Sequence, residues 1–577
     1  MFYHFRKLIE ILKISKVENI FFLCFLAFLN IFFEVLSLGM LLPFIGIIVN
    51  PNLYEQLQIF INNQSIIDLS YFSNLDKKSF ILTLIFIILL LFIGKFIVSL
   101  FYYWHLNSKK VSYESKIGNK ILSNCSKVNN PLYLNIPTSE LSYTITGRVS
   151  MVASVVVTLT NLMVELVFFS FIAIIIIINY PSQSIIVLPI FITLSLLTYI
   201  FFKKKISVWS KQRGEFGDKK NSNLIDFFQG IREVLIFSLQ DFFLGDFEKN
   251  NIKFLTPQKK ILFFGILPRI VMEMIFSLTF LSIFFYYIFN DYDYKNMILS
   301  ASVILVLALR IFPSFNKIIF NLNQYRYAFE AILKVNSFIK SSEINYNSIE
   351  SLNFNKKIAL NNINFGFIKN QLLLENLNLE ISKGSKIGII GETGSGKTTL
   401  IDIITGLLKP DKGTLLIDDI EINKLNTESW VKNISYISQK TFLFNSSIRQ
   451  NICFKKDNEI IDEKKLTSVL NLCDFQKFVD SKEEGTLFHV GEFGGNLSGG
   501  QKQKIGIARA LYQDSELLIF DESTSALDEE SERKIIKNII NLENKTIVFI
   551  SHNHENFISF NEIFKLEYKK LVKYKIN

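Results

Sequence analysis

Apolar residues dominate the chain up to about Phe320 and then give way to a mixed pattern. Six mainly apolar stretches run at about 18–49, 79–106, 149–179, 182–202, 261–290 and 296–320. Each meets the roughly 20 residues that a helix rising 1.5 Å per residue needs to cross about 30 Å of hydrocarbon. They predict a membrane bundle of six transmembrane α-helices. In residues 1–17, apolar positions at helical spacing alternate with Arg6, Lys7, Lys13 and Lys16, which predicts an elbow helix lying in the membrane interface. That basic start imitates a signal sequence. The apolar stretch behind it is too long for a signal core and carries no small-residue cleavage site, so the first helix is expected to stay in the mature protein.

Residues 340–356 are rich in Ser and Asn without a strong apolar period and read as a linker. From Lys357, short strand-like apolar runs alternate with helical stretches, the pattern of an α/β domain. The expected organisation is an interfacial helix at 1–17, a transmembrane domain at 18–339, the linker at 340–356 and a soluble domain at 357–577.

The 577 residues are too many for one core, and 49% are apolar and 14% aromatic, with 57 Phe, an excess that belongs to the membrane half. Cys24, Cys125, Cys453 and Cys473 have neither paired spacing nor a neighbouring His cluster, so no disulfide framework or zinc site is expected. The net charge of +10 gathers beside the apolar spans, where anionic lipid headgroups are its partner rather than nucleic acid. Lys and Arg number 6 in 107–148 and 12 in 203–260 but 2 in 50–78, which puts the first two segments, and both chain termini, in the cytoplasm. The long helices around those segments are expected to continue past the bilayer.

The run SKIGII leads directly into GETGSGKTT, a phosphate-binding loop. Gly391, Gly394 and Gly396 let the backbone N–H groups of Glu392, Thr393 and Ser395 turn toward phosphate oxygens, and a helix beginning near Lys397 adds its positive end. Lys397 would neutralise the β- and γ-phosphates of ATP, Thr398 would coordinate Mg2+, and Thr399 would support the α-phosphate side. ELLIFDE supplies an apolar strand ending in Asp521, a second Mg2+ ligand, and Glu522, placed to orient or deprotonate the attacking water. In NLSGGQKQK, Ser498, Gly499, Gly500 and Gln501 form a small-residue turn opening a helix, a second phosphate-binding helix start.

With these motifs, residues of about 357–570 resemble the ATP-binding cassette family, with Walker A at 391–398, the signature LSGGQ at 497–501 and Walker B ending at Asp521 and Glu522. The resemblance implies that Gln439 senses Mg2+ and γ-phosphate, that Asp528 lies in the D-loop and that His552 is the switch histidine beside Glu522, with His554 as runner-up. It implies that Phe367, or Phe365 in competition with it, stands where the family's adenine-stacking Tyr does; Asn553 replaces the common Arg after the switch histidine. In this family the signature completes the ATP site of the opposite cassette, so one cassette per chain implies a homodimer with two competent sites. Six spans before one cassette resemble half of a type IV exporter, with coupling regions expected at 124–134 and 222–232.

The membrane half more narrowly resembles the bacterial lipid-linked oligosaccharide flippases of protein N-glycosylation. The fragments that carry this are Glu34 with Pro43-Phe44-Ile45, LPRI with Glu273, and LALRIFPSFN at 307–316. The resemblance implies an ATP-driven flippase of the bacterial inner membrane. An inward-facing Arg can bind a diphosphate bidentately, and Arg269 and Arg310 are the candidates. Both also fit helix ends that snorkel to the cytoplasmic interface. Glu34 and Glu165 are expected to pair with cations or to line polar walls. Export of another lipid, a drug or a peptide would use the same cassette.

Overall fold

The computed structural model describes residues 2–14, 20–41, 44, 47, 54–55, 76–126, 136–179, 181–289, 313–340, 352–368, 371–423, 426–455, 459–551, 557 and 559–575. They divide into two compact units, a helical one within residues 1–343 and an α/β one within 344–577.

In the helical unit, Phe2–Ile14 forms the expected amphipathic first helix and buries Leu8 and Ile11 against the Phe329–Lys340 helix. Helices Ile20–Gly39, Lys77–Cys125, Val149–Asn179, Pro181–Gln229 and Gln240–Phe289 contain five of the six apolar stretches in whole or part. Of these, Lys77–Cys125 and the helix through Thr138–Phe171 are long and apolar enough over their described residues to cross a membrane. The sixth stretch has only 313–320 among the described residues, as part of a helix over 313–327. Lys77–Cys125 and Pro181–Gln229 each run 49 residues and Gln240–Phe289 runs 50, well beyond one bilayer thickness, as expected of helices that continue past it. Of the two expected coupling regions, 222–232 falls where a long helix stops at Gln229 and a short one resumes at Ile231 after Gly230. Most of 124–134 lies outside the described residues.

Polar residues on these helices meet in pairs. Lys95 Nζ donates to Glu34 Oε1 at 3.4 Å and Lys317 Nζ to Glu165 Oε1 at 2.7 Å, so both glutamates have the cationic partners expected for them. Ser99 Oγ donates to Asn30 Oδ1 across the same helix pair as Lys95 and Glu34, and Tyr102 OH donates to Asn161 Oδ1, tying Lys77–Cys125 to Val149–Asn179. All four cysteines are free thiols.

In the α/β unit, strands β1 (Lys357–Phe365), β2 (Leu374–Ser382), β4 (Lys412–Ile417) and β5 (Ile420–Glu421) form an antiparallel sheet in the order β2-β1-β4-β5. A second sheet takes β3 (Lys386–Gly391), β6 (Ile434–Ile437), β7 (Leu517–Asp521), β8 (Thr546–Ile550), β9 (Glu562–Glu567) and β10 (Lys570–Tyr574) in the order β10-β9-β3-β8-β7-β6. Its β9-β3-β8-β7-β6 part is parallel. Parallel strands are covered on both faces and so read as continuous apolar runs, which is why LLIFD and TIVFI are buried at every position. Period-two alternation divides them: Leu518, Phe520, Ile547 and Phe549 join one core cluster, and Leu517, Ile519, Val548 and Ile550 the other.

Candidate nucleotide site

Parallel strands place the loops after their carboxyl ends along one edge, where ligands of α/β sheets bind. Here β3 leads into Glu392, β7 ends in Asp521, and β6 is followed by Gln439. Asp521 and Ile389 both pair with Ile550 of the intervening β8, so the phosphate loop and the Asp521–Glu522 pair are one strand apart at the same level.

The loop is built as its glycines predict. Gly394 and Gly396 have φ of +82° and +106°, which side-chain-bearing residues rarely adopt. A Cβ on Gly391 would lie 2.8 Å from the Leu566 carbonyl oxygen and 2.9 Å from Ser395 Oγ. The helix Lys397–Ile404 starts directly after Gly396. Lys397 is buried, and its Nζ donates to the carbonyls of Gly391 at 2.7 Å and Glu392 at 3.0 Å while standing 3.7 Å from Glu522 Oε1. Burial holds its pKa below the ordinary lysine value, against the opposing pull of Glu522 and Asp521.

Thr398 Oγ1 donates to Asp521 Oδ2 at 3.2 Å, and Tyr436 OH donates to the same oxygen at 3.0 Å. Burial raises the Asp521 pKa, and these two hydrogen bonds and Lys397 oppose the rise. Gln439 Nε2 donates to Glu522 Oε2 at 2.8 Å. Glu522 itself sits at φ 49°, uncommon for a residue with a Cβ, and its N–H donates to the Ile550 carbonyl at 3.1 Å. The donor set therefore fits a Mg2+-nucleotide: a hydroxyl and a carboxylate in contact offer hard oxygens, an amide stands beside a carboxylate, and Ser395 Oγ is buried in the loop without a protein partner.

The second loop has its own architecture. Ser498 caps the helix Gly499–Gln513: its Oγ accepts from Gln501 N at 3.3 Å, and Gln501 Oε1 accepts from Ser498 N at 2.9 Å. Gln501 and Ser498 thus both commit their side chains to a capping box at the helix start. A Cβ on Gly500 would come within 2.9 Å of the Ala526 carbonyl oxygen, and buried Gln503 accepts from Ala526 N at 2.9 Å. The D-loop is thereby fastened to the signature helix, while Asp528 caps the next helix by accepting from Ser531 N at 2.9 Å. That bond holds the Asp528 pKa below the usual carboxylate value.

Phe367 is 70% exposed, and Phe365, edge-on to it at 5.0 Å, is 7% exposed and part of the core; the aromatic face open to a ligand is Phe367's. His552, His554 and Asn553 lie outside the described residues, as does Arg310. Arg269 is exposed on its long helix, with Nε donating to Glu273 Oε1 at 2.7 Å one turn away. Sequence reasoning missed Tyr436, Gln503 and Asp402. Tyr436 could have been found by strand alternation, since Ser435 and Ile437 are buried and Tyr436 points the other way.

A family model described as the ABC transporter transmembrane region matches residues 20–309, and one described as ABC transporter matches 374–525. The chain belongs to the ABC transporter family. This ABC transporter is 28% identical over 357 residues to the heterocyst differentiation ATP-binding protein HepA of Nostoc sp., covering 60% of this chain and 57% of that protein. It is 28% identical over 395 residues to the lactococcin-G-processing and transport ATP-binding protein LagD of Lactococcus lactis, 67% of this chain and 54% of that one. With the ATP-dependent lipid A-core flippase of Desulfotalea psychrophila it shares 34% identity over 220 residues, 38% of each chain. The ABC transporter therefore spans less than two thirds of the length of each of these relatives. Its fold matches that of a bacterial Atm1-family ABC exporter solved with ATP bound, at a TM-score of 0.74 and 18% identity over 92% of this chain and 94% of that one.

Proposed function

We propose that this chain is one half of a homodimeric, ATP-driven exporter with six transmembrane helices. In this reading it flips a polyprenyl-diphosphate-linked oligosaccharide from the cytoplasmic to the outer leaflet of a bacterial inner membrane. The convergence of Lys397, Thr398, Asp521, Gln439 and Glu522 at one sheet edge carries the ATPase part.

In this reading the N–H groups of Gly391 to Thr399 cradle the phosphates, and Lys397 exchanges its two carbonyl partners for phosphate oxygens. Thr398, Asp521 and Gln439 hold Mg2+, which when bound neutralises charge on the β- and γ-phosphates. Glu522 accepts the proton of the attacking water, and His552 contacts the γ-phosphate. Phe367 stacks on adenine, a contact its 70% exposure supports. Ser498, Gly499, Gly500, Gln501 and Asp528 serve the partner's nucleotide, so that two chains close around two ATP molecules with C2 symmetry.

The cargo rests on the resemblance of the membrane half, with Arg269 and Arg310 as diphosphate ligands. The Arg269–Glu273 bond means that a diphosphate would have to displace Glu273 from the guanidinium. The test is ATP-dependent translocation of a polyprenyl-diphosphate oligosaccharide in proteoliposomes by the intact chain and by Glu522→Gln, Arg269→Ala and Arg310→Ala. Loss of flipping in Glu522→Gln, and loss with ATPase retained in an Arg variant, is the expected result. No flipping by ATPase-active intact protein would favour export of another lipid, a drug or a peptide; among the relatives, one is a lipid A-core flippase and one a lactococcin-G-processing and transport protein.

A further inference from the structure

The helical unit contains a cavity of about 370 Å³ between the helices Val149–Asn179, Pro181–Gln229 and 313–327. Four hydroxyl residues, Thr146, Ser150, Ser154 and Thr158, recur every fourth position and line it in one stripe, faced by Arg213, Gln324 and Tyr327. Ser154 Oγ donates to the Ser150 carbonyl at 2.8 Å and Thr158 Oγ1 to the Ser154 carbonyl at 2.9 Å. Those carbonyls already serve the helix ladder, so the hydroxyls can turn to a ligand at small cost.

Two polar atoms of residues that line the cavity lack partners. Tyr327 is only 9% exposed and its OH has no hydrogen-bond partner; Arg213 Nε is likewise buried and unbonded. The Arg213 guanidinium lies between two rings, 4.8 Å from Phe254 and 5.0 Å from Tyr327, and among the described residues no carboxylate pairs with it. The nearby acids are engaged elsewhere: Asp218 and Glu330 both bind Arg148, at 2.8 and 3.3 Å. A half-buried, permanently charged group without a counter-ion is costly unless an anion joins it.

We propose that this cavity binds a phosphoryl group, presented by an anionic lipid headgroup or by a soluble phosphate compound. Guanidinium geometry matches phosphate oxygens bidentately, and the hydroxyl stripe with Tyr327 and Gln324 supplies more donors than the two oxygens of a carboxylate would use. The volume lies at the small end of ligand pockets, enough for a headgroup and too little for a whole lipid-linked glycan. Arg213 stands eleven residues, about 16 Å of helix, beyond the end of the 182–202 span, on the side assigned to the cytoplasm by its basic flanks. The residues lining the cavity include neither those of the nucleotide site nor Arg269, and the site does not depend on the cargo proposed above.

Full-length protein in detergent, held in saturating ADP and Mg2+ so that the phosphate loop is occupied, would be titrated calorimetrically with three probes: dioctanoyl phosphatidic acid, inorganic diphosphate and dioctanoylglycerol. Phosphatidic acid should bind more tightly than dioctanoylglycerol. Its Kd should weaken by roughly tenfold or more in Arg213→Gln, the loss of one charge-assisted pair, and also in Ser154→Leu, which keeps the arginine but fills the cavity. The second variant answers if the first does not fold. Diphosphate binding with the same dependence assigns the site to soluble phosphate compounds as well; phosphatidic acid alone assigns it to lipid headgroups. Binding of neither charged probe, or binding unchanged in both variants, overturns the proposal.

Discussion

Gln439 Nε2 and Glu522 Oε2 are joined at 2.8 Å across the ends of β6 and β7, so the amide proposed to sense γ-phosphate restrains the carboxylate proposed to activate water. A nucleotide entering between them must break or share this bond. Glu522→Gln keeps the shape and removes the base, and should lower kcat for ATP by about 10²- to 10⁴-fold with little change in KM. Gln439→Ala leaves the base in place and should cost less, on the order of tenfold. Steady-state ATPase assays decide it; equal losses in both would show that Glu522 acts only through the position Gln439 gives it.

Asp402, one turn into the helix behind the phosphate loop, has its pKa raised to about 6, first by burial and then by the Asp521 carboxylate. A carboxyl group raised above its unfolded value of 3.8 binds its proton more tightly when folded. Its contribution to stability is therefore complete at low pH and is lost as pH rises through about 6. Asp402→Asn should raise the Tm of protein without nucleotide at pH 7.5 and have little effect near pH 4. A gain of the same size at both values would show that the substitution acts by packing alone.

The features legible in the sequence are those whose backbone conformation or hydrophobic period is local. Gly394 and Gly396 announce the loop because few other residues reach their φ values, and LLIFD and TIVFI announce buried parallel strands because both faces are covered. The capping box of Ser498 and Gln501 is equally local, yet the family motif drew attention to a ligand role and away from it. What stayed hidden depends on long-range packing: the Tyr436–Asp521 bond spans 85 residues and the Arg148–Glu330 pair 182. No periodicity records such partners.

Arg148 shows what that packing holds. Its side chain is 1% exposed, in a π-helical turn at Thr144–Arg148, and donates two bonds of 2.8 Å to Asp218, one of 3.3 Å to Glu330 Oε2 and one of 3.2 Å to the Gly214 carbonyl. Burial raises the Glu330 pKa, and Arg148 opposes the rise. Arg148→Met would leave two part-buried carboxylates facing each other and should destabilise the helical unit by about 3–5 kcal/mol. Adding Asp218→Asn and Glu330→Gln should recover much of the loss, because neutral amides need no counter-ion. Thermal unfolding of the single and triple variants tests this; no recovery would mean that the guanidinium matters for its shape rather than its charge.

The homodimer proposal is tested by two defects placed on different chains. Lys397→Ala removes a phosphate-loop cation, and Ser498→Arg blocks the start of the signature helix; each homodimer should be inactive. If Ser498 of one chain completes the site of the other, a mixed dimer has one site with both defects and one with neither. The intact site pairs Lys397 of the Ser498→Arg chain with Ser498 of the Lys397→Ala chain. Mixed dimers, isolated by two different affinity tags, should then occlude about one nucleotide per pair of chains, as the geometry of two shared sites requires. If each chain instead serves its own nucleotide, every site in the mixed dimer carries a defect and no occlusion appears. Occlusion is the better readout than turnover, because a cycle that needs both sites would stay silent even when the intact one has formed.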